Sequence, residues 1–439
     1  MSAPAPPPAL TGLPIVGHAL EYSRDPMAVL WRGYREHGKA FSIRLGPKPA
    51  AVFLGPENQR AFFAETDRRL SISDTFQWVV PLFGADFPLA AHGAVHKRVR
   101  AELRAPLSAS ARRPMLPAIA EEVDEWLDGL GERGELELVS ALGPVLLHGM
   151  MRALAGTEPR ERLGDDLWRD FRVLTRLGSD HLARKARMKL PLAPWRRSKE
   201  RLDSTLREIV RGRRTESGRR ADYLQTLVDA TSDDDLPAKT LEGLVWGGLP
   251  TTWGHAAWTL TLLLEQPHYR ALVVDALDGA LASGEPAELE RVTKLERLDR
   301  SLKEAERLRP SVLVMGRTAV ESIELGGHLV PRGWLVLISP AVSHRLPEVY
   351  SDPDRYDPDR FSAERPERAR DPFALVGFGG GGRRCLGKEF ALDLIKVTLA
   401  LFLHRYELQL LGPAPMPKPG PDPNRPREPV RVRYRRRGR

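Results

Sequence analysis

Cysteine is almost missing from this chain, because Cys385 is the only one in 439 residues. A single thiol cannot form an internal disulfide, and it cannot build a four-cysteine metal site. Its remaining roles are a buried apolar side chain, a nucleophile, or one thiolate ligand to a metal that a cofactor otherwise coordinates. A lone thiol also suits a reducing compartment, which predicts a bacterial cytoplasmic protein.

Long apolar runs are missing as well. No stretch reaches about 18 uninterrupted apolar residues, and the chain starts with the polar, proline-rich segment MSAPAPPP. We therefore expect neither a membrane anchor nor a signal peptide, and we expect residues 1–10 to be disordered. No Ser/Gly linker or block of charge divides the rest of the chain, which predicts a single domain over residues 11–439.

Apolar periodicity predicts helices along most of the chain. The clearest helical patterns cover residues 26–37, 237–264, 295–309 and 388–405. After Pro310 the pattern changes to short strands at 322–325, 328–330 and 335–338, separated by glycine and proline turns. The predicted fold class is therefore mainly α with small β-sheets.

The residues that flank Cys385 favour a metal ligand. Four consecutive glycines at positions 379–382 would let the backbone approach a large flat ligand. The helix predicted from residue 388 would direct its positive dipole end and its backbone N–H groups towards the thiolate. A phosphate-binding loop is the other interpretation of the glycines, but no Lys-Ser or Lys-Thr pair follows them.

The spacing of Phe378, Gly381, Arg383, Cys385 and Gly387 resembles the cysteine loop of the cytochromes P450, which are haem-thiolate monooxygenases. This resemblance extends over nearly the whole chain. It implies the cytochrome P450 fold, a triangular helix-rich prism around a buried haem. It also implies haem b (iron protoporphyrin IX) as the cofactor, with the thiolate of Cys385 as the axial ligand.

A charged triad is implied by two further motifs of the family. Glu304 and Arg307 lie three residues apart in a predicted helix and can pair on one face. Arg360 lies in a Pro-Asp-Arg-Phe segment that resembles the family's Pro-x-Arg-Phe motif. By this resemblance the three residues form a buried, structural triad.

Haem carries two propionates, and buried anions need cationic or hydrogen-bonding partners. The pair His96 and Arg100 matches the family's His/Trp-x-x-x-Arg element. Arg317 matches the family's arginine before a strand turn, and Arg383 completes the set. We expect these four residues to bind the cofactor.

The predicted helix 237–264 departs from the family where oxygen is activated. The family has an acid before its threonine, whereas this chain has the sequence Gly247-Gly248-Leu249-Pro250-Thr251-Thr252. Thr251, Pro250 and Thr252 are the predicted catalytic positions. The side chain of proline cannot donate or accept a proton. Proline also lacks a backbone N–H, so the carbonyl group of Trp246 loses its helical hydrogen bond. Either Pro250 only bends the helix, or proton supply is altered and peroxide-driven or redox-neutral chemistry becomes the alternative.

Within the family, several segments resemble the sterol 14-alpha-demethylase branch and its bacterial relatives. These are Phe76–Gly84, Ser339–Arg345 and the basic tail Val432–Arg437. The branch has Gly-His-x-Thr in the oxygen helix, however, and Leu249-Pro250 breaks that pattern. We therefore do not predict sterol demethylation for this chain from its resemblance to the branch.

The residues expected to line the substrate pocket are all apolar or glycine. They favour a terpenoid, steroid-like, polyketide or fatty-acyl substrate over a charged one. No arginine precedes Pro250, which weakens the interpretation as a fatty-acid peroxygenase. The predicted lining residues are Phe76, Trp78, Val79, Phe83, Leu89, Trp246, Gly247, Val312, Leu313 and Val314.

The formal net charge is +9, with arginine clusters that include Arg211–Arg214 and the tail Arg431–Arg439. Such clusters are either a solvated surface or a basic face that attracts an acidic redox protein. The chain has no flavin or dinucleotide domain, so electrons would come from a ferredoxin or flavodoxin and its NAD(P)H reductase. We expect a monomer with no nucleic-acid partner, and a non-catalytic haem sensor is the remaining alternative.

Overall fold

The computed structural model describes residues 4–179, 188, 193–215, 220–282, 287–365, 371–420 and 423–438. Helices account for 57% of the chain, and the sheets are small, which confirms the predicted fold class. The chain divides into two compact units, and the single domain predicted over residues 11–439 stays a prediction. Each unit is built from three separate segments, so no one linker could mark the boundary in the sequence.

The first unit comprises residues 1–99, 303–385 and 419–424. Its helices are Ala19–Arg24, Pro26–His37, Pro56–Glu65, Ser73–Phe76, Val80–Phe83 and Pro340–Ser343. Its five-stranded sheet has the order Ala40–Leu45, Lys48–Phe53, Leu335–Ile338, Met315–Ala319 and Leu70–Ser71. Its two-stranded sheet pairs Ile323–Leu325 with His328–Val330.

The five-stranded sheet is the core of the first unit. Its pairings are antiparallel, except that Lys48–Phe53 runs parallel to Leu335–Ile338. Side chains alternate across a strand, so Val52 packs with Val29 and Leu30 on one face. Phe53 faces the opposite side, where it packs with Phe62, Phe63 and Val336.

The start of the described chain is paired with this sheet. The carbonyl oxygen of Pro8 accepts the N–H of Ser42 at 2.8 Å, and the N–H of Leu10 donates to the carbonyl of Ser42 at 2.9 Å. Leu329 donates to the carbonyl of Ala5 at 3.0 Å. Disorder over residues 1–10 was therefore wrong for residues 5–10, because prolines lack an N–H but keep carbonyl oxygens that a strand edge can bind.

The second unit comprises residues 100–302, 386–418 and 425–439. Two helices, Gly93–Arg104 and Glu296–Leu308, cross the boundary between the units along the chain. The other helices of the second unit are Ala109–Arg112, Met115–Asp128, Leu138–Ala155, Glu158–Leu163, Asp165–Ser179, Pro194–Thr215, Tyr223–Asp229, Asp235–Leu264, Pro267–Ala280, Ala287–Thr293 and Lys388–Arg405.

Helix Leu138–Ala155 is the one helix, among the described residues, that is long and apolar enough to cross a membrane. It is 72% buried inside the protein, and a core helix of a soluble protein passes the same test. The indole Nε1–H of Trp253, on helix Asp235–Leu264, donates to the carbonyl of Val139 at 2.6 Å. The helix therefore packs as a core element of the second unit.

The second unit also holds a three-stranded antiparallel sheet that the sequence analysis did not predict. Strand Arg431–Arg436 lies between Arg133–Glu137 and Tyr406–Leu411. Val432 and Tyr434 are buried, while the arginines that alternate with them face solvent. The basic tail is thus a central strand with one apolar face.

Candidate active site

Cys385 lies in an exposed loop two residues before the N-cap residue of helix Lys388–Arg405, Gly387. Its backbone N–H donates to the carbonyl of Phe378 at 2.9 Å, which closes the loop. The helix begins where the sequence pattern predicted it. The positive end of the helix dipole therefore lies just after the sulfur, where it favours a thiolate.

The glycine run of the loop has unusual backbone angles and close packing contacts. Gly379 and Gly381 have φ angles of +72° and +60°, a region that disfavours residues with a side chain. A Cβ atom on Gly380 would lie 2.7 Å from the ring of Phe63. Of the four, Gly382 alone has open space around its Cβ position. Local conformation and packing thus account for Gly379, Gly380 and Gly381, whereas Gly382 leaves open space beside the loop.

Arg383 is held by protein groups on all sides. Its buried guanidinium forms a bidentate ion pair with Asp67, with nitrogen–oxygen distances of 2.5 and 2.8 Å. It also donates to the carbonyls of Pro88 at 2.7 Å and Ala91 at 2.9 Å. These bonds anchor the Cys385 loop to an earlier part of the first unit. Sequence reasoning missed Asp67, which has no motif around it.

Arg317 offers the best site for a buried anion. Its side chain is 5% exposed and stacks 5.0 Å from the ring centre of Phe62, and its Nη1 donates to the adjacent carbonyl of Gly316. Its Nε is buried without a hydrogen-bond partner, and burial together with repulsion from Arg383 lowers its pKa to about 10. A carboxylate would satisfy this orphaned donor, so the site fits a haem propionate.

The other predicted propionate partners lie on helix Gly93–Arg104. His96 is buried and Arg100 is half-buried, one helical turn later. Residues four apart share a helix face, so the two side chains leave the helix on the same side. Their role in binding the cofactor stays a prediction.

The predicted triad forms a fully buried charge cluster. The two oxygens of Glu304 accept from Arg307 at 2.7 and 2.8 Å, and Arg360 donates to Glu304 at 3.1 Å. The guanidinium carbons lie 5.1 and 5.9 Å from the ring centre of Tyr350. The N–H of Asp357 also donates to Glu304 at 2.8 Å. Removing Glu304 would leave two buried guanidinium groups without their carboxylate partner.

Helix Asp235–Leu264 continues through Pro250 without a break. The hydroxyl of Thr251 is half-buried and donates to the carbonyl of Gly248 at 3.0 Å, while Thr252 is buried. Trp246 is buried, and its Nε1–H donates to the carbonyl of Leu174 at 3.0 Å. The three predicted catalytic positions are therefore consecutive residues of one helix. Pro250 and Thr251 are half-buried, and Thr252 is buried.

A family model described as Cytochrome P450 matches residues 181–430, more than half of the chain. The chain belongs to the cytochrome P450 family. Cytochromes P450 are monooxygenases that hold haem b through a cysteine thiolate, and the only cysteine of this one is Cys385. The predicted family, enzyme class and cofactor are confirmed.

This cytochrome P450 is similar to several sterol 14-demethylases. It is 28% identical to the sterol 14alpha-demethylase of Mycolicibacterium vanbaalenii over 412 residues, which cover 90% of each chain. It is also 28% identical to the obtusifoliol 14-alpha demethylase of Sorghum bicolor, over 93% of this chain and 86% of that protein. The human lanosterol 14-alpha demethylase is 28% identical, with 93% and 82% covered. The predicted distant similarity to this branch is confirmed.

A solved structure shows the same fold. The retinoic acid-bound cyanobacterial CYP120A1 superposes with a TM-score of 0.88 at 24% sequence identity. The match covers 99% of this chain and all of the other one. The cytochrome P450 fold predicted from the cysteine loop is therefore confirmed.

The residues predicted to line a substrate pocket are divided between the two units. In the first unit Val79 and Phe83 are fully packed, which is the burial expected of core residues. Gly247 is exposed, and nothing lies within 4 Å of its Cβ position. The partly accessible members of the first unit are Phe76, Trp78, Leu89, Val312, Leu313 and Val314.

Proposed function

We propose that this cytochrome P450 inserts one oxygen atom from O2 into a hydrophobic, isoprenoid-derived small molecule. Electrons would come from a separate ferredoxin or flavodoxin and its NAD(P)H reductase. The observation that carries the proposal is the Cys385 loop in a chain of this family. Haem b, when bound, supplies the redox chemistry for oxygen activation. We also propose a cytoplasmic monomer.

The substrate class rests on two kinds of observation. The names of the relatives refer to sterols, obtusifoliol and lanosterol, and the solved structure has retinoic acid bound. All of these compounds are hydrophobic and isoprenoid-derived. The predicted lining residues of this chain are also apolar, which favours a lipophilic ligand. Sterol demethylation itself is not proposed, because Leu249-Pro250 breaks the Gly-His-x-Thr pattern of that branch.

Three residues have distinct proposed roles. The thiolate of Cys385 binds the haem iron and is favoured by the following helix N-terminus. The guanidinium of Arg317 neutralises a propionate through its unpartnered Nε–H. The hydroxyl of Thr251 donates a hydrogen bond to the carbonyl of Gly248, so the lone pairs of its Oγ1 can accept a hydrogen bond from water.

A second candidate function is favoured by Pro250. Without an acid next to Thr251, this helix has no titratable group at the usual proton-delivery position. Peroxide-driven oxidation or a redox-neutral rearrangement does not need the same delivery of protons to dioxygen. These reactions are therefore the alternative to monooxygenation.

Turnover of a panel of terpenoids, sterols and retinoids distinguishes the candidates. We expect product only with NADPH, ferredoxin and reductase, and we expect label from ¹⁸O2 in that product. Product formed with peroxide alone, or without any electron donor, would favour the second candidate. Tight substrate binding without any product under all three conditions would favour a haem sensor.

A further inference from the structure

We propose that His344 is a positioning residue that links the buried charge triad to the Cys385 loop through its neutral imidazole. The proposal rests on Cys385 being the haem ligand, and it assigns to His344 no contact with substrate or cofactor. His344 follows the short helix Pro340–Ser343 and has no exposed surface. In the sequence it was singled out only as part of the segment Ser339–Arg345.

The ring of His344 binds the backbone at the start of the cysteine loop. Its Nε2 accepts the N–H of Val376 at 2.9 Å, and Val376 is itself buried. The carbonyl of Val376 then accepts the N–H of Gly379 at 2.7 Å, in the turn that begins the glycine run. The next contact is the bond from Cys385 to the carbonyl of Phe378. Three successive hydrogen bonds thus connect the imidazole with the ligand residue.

The direction of the first bond determines the protonation state of the ring. A backbone N–H can only donate, so Nε2 must present its lone pair and the proton must be on Nδ1. Nδ1 is buried and makes no hydrogen bond of standard geometry. Burial and the charge of Arg307 lower the pKa of the ring to about 3, which keeps it neutral.

The triad holds the backbone of the same residue. Nη1 of Arg307 donates to the carbonyl of His344 at 3.1 Å, while its Nε and Nη2 donate to Glu304. The backbone of the loop also packs closely against helix Glu296–Leu308, because a Cβ on Gly377 would lie 2.5 Å from Oε1 of Glu306. This contact leaves the loop little room to shift towards that helix. His344 therefore lies between a rigid charge cluster and the first turn of the loop. Moving the ring would move the amide of Val376.

Leucine, glutamine and asparagine at position 344 test the role. His344→Leu keeps an apolar volume but leaves the N–H of Val376 buried without an acceptor. His344→Gln can place its Oε1 near the position of Nε2, whereas the shorter His344→Asn cannot. Three quantities are measured on holoprotein: amide exchange at Val376, the fraction of the reduced carbon monoxide complex in the thiolate band, and the unfolding midpoint.

We expect exchange at Val376 to become about tenfold faster in the Leu and Asn variants, which corresponds to the loss of one hydrogen bond. We expect part of their carbon monoxide complex to leave the thiolate band. The Gln variant should recover both. If the Leu variant does not fold, the Gln and Asn variants are compared for the same two quantities, the exchange at Val376 and the thiolate band.

His18→Leu is the matched control. His18 is a buried histidine of the same unit, and its Nδ1 accepts the backbone N–H of Arg44 at 3.3 Å. It should lower the unfolding midpoint without changing the thiolate band. The proposal is overturned if the His344 variants lose stability but keep the full band and the protection of Val376. A wrong assignment of Cys385 as the ligand would give a different result, because Cys385→Ser would then keep the thiolate band.

Discussion

Cys385 is the residue whose replacement has the simplest expected result. It is the only thiol in the chain, and a thiolate gives the reduced carbon monoxide complex its strongly red-shifted band. Cys385→Ser should abolish that band while the protein stays folded. A Cys385→Ser protein that keeps the band would show that another residue ligates the iron.

Glu304 is a carboxylate without solvent contact, held by two guanidinium groups. Glu304→Ala would leave two buried cations without their partner, at a cost of about 3–5 kcal/mol. We expect little soluble, haem-loaded protein. The control is Glu324→Ala, because Glu324 is exposed on a strand of the same unit and its loss should leave the yield unchanged. A well-folded, haem-loaded Glu304→Ala with only slower turnover would assign the triad to the chemistry.

His255 should make the protein sensitive to acid. Its ring is buried, with Nε2 2.9 Å from the carbonyl of Leu302, and burial lowers its pKa from 6.5 to about 4. Between these two values the unfolded chain binds one proton more than the folded chain. Stability is therefore lost as pH falls through this window, by about 1.4 kcal/mol per pH unit.

Unfolding midpoints measured from pH 7 to pH 4 check this expectation. His255→Leu should reduce the acid slope by one proton, although it also lowers stability at neutral pH through the lost hydrogen bond. His92→Leu is the control, because it removes an exposed histidine and shows what the loss of a surface imidazole alone does to the slope. An unchanged slope in His255→Leu would mean that the native ring is already protonated.

At the scale of secondary structure, helix Asp235–Leu264 combines an unbroken backbone with a proline at the usual position of the acid. We expect Pro250→Asp to change the ratio of product formed to NADPH consumed, because it adds a titratable group beside Thr251. Thr251→Ala should lower that ratio and release more peroxide. If neither variant changes the ratio, the helix does not supply protons, and the peroxide-driven or redox-neutral candidate gains support.

At the scale of the whole molecule, the positive charge is largely paired. In the tail, Arg431 and Arg433 pair with Glu135, and Arg435 pairs with Glu407. In the second cluster, Arg213 is buried and bound to two carboxylates, Glu158 and Asp222. These arginines of the two clusters therefore form ion pairs within the fold, and a basic docking face stays a prediction.

The salt dependence of the reduction rate should test whether positive charge next to the cysteine loop attracts the redox partner. Arg384 is exposed and adjacent to Cys385, so it can attract an acidic ferredoxin. We expect reduction to slow as ionic strength rises, and Arg384→Gln to weaken this dependence. Arg431→Gln removes the same charge from the C-terminal strand instead of from the residue next to Cys385, and it should keep the wild-type dependence. A rate that is flat with salt in all three proteins would make the net charge a solubility feature.

Features that depend on neighbouring residues followed from the sequence. Helices Pro26–His37 and Lys388–Arg405 and strands His328–Val330 and Leu335–Ile338 have the predicted bounds, because periodicity and flanking turn residues act locally. The spacing around Cys385 was enough to predict the family, the cofactor and the enzyme class. These features are encoded within short windows of the chain.

Contacts between distant segments needed the tertiary structure. Asp67 meets Arg383, and His344 meets Val376, although no motif in the sequence joins either pair. The tail Arg431–Arg436 was interpreted as surface charge, yet its alternation matches a strand whose two partners come from other parts of the chain. Pairing partners, burial and protonation states depend on which segments fold against each other, and only the complete packing of the chain decides that.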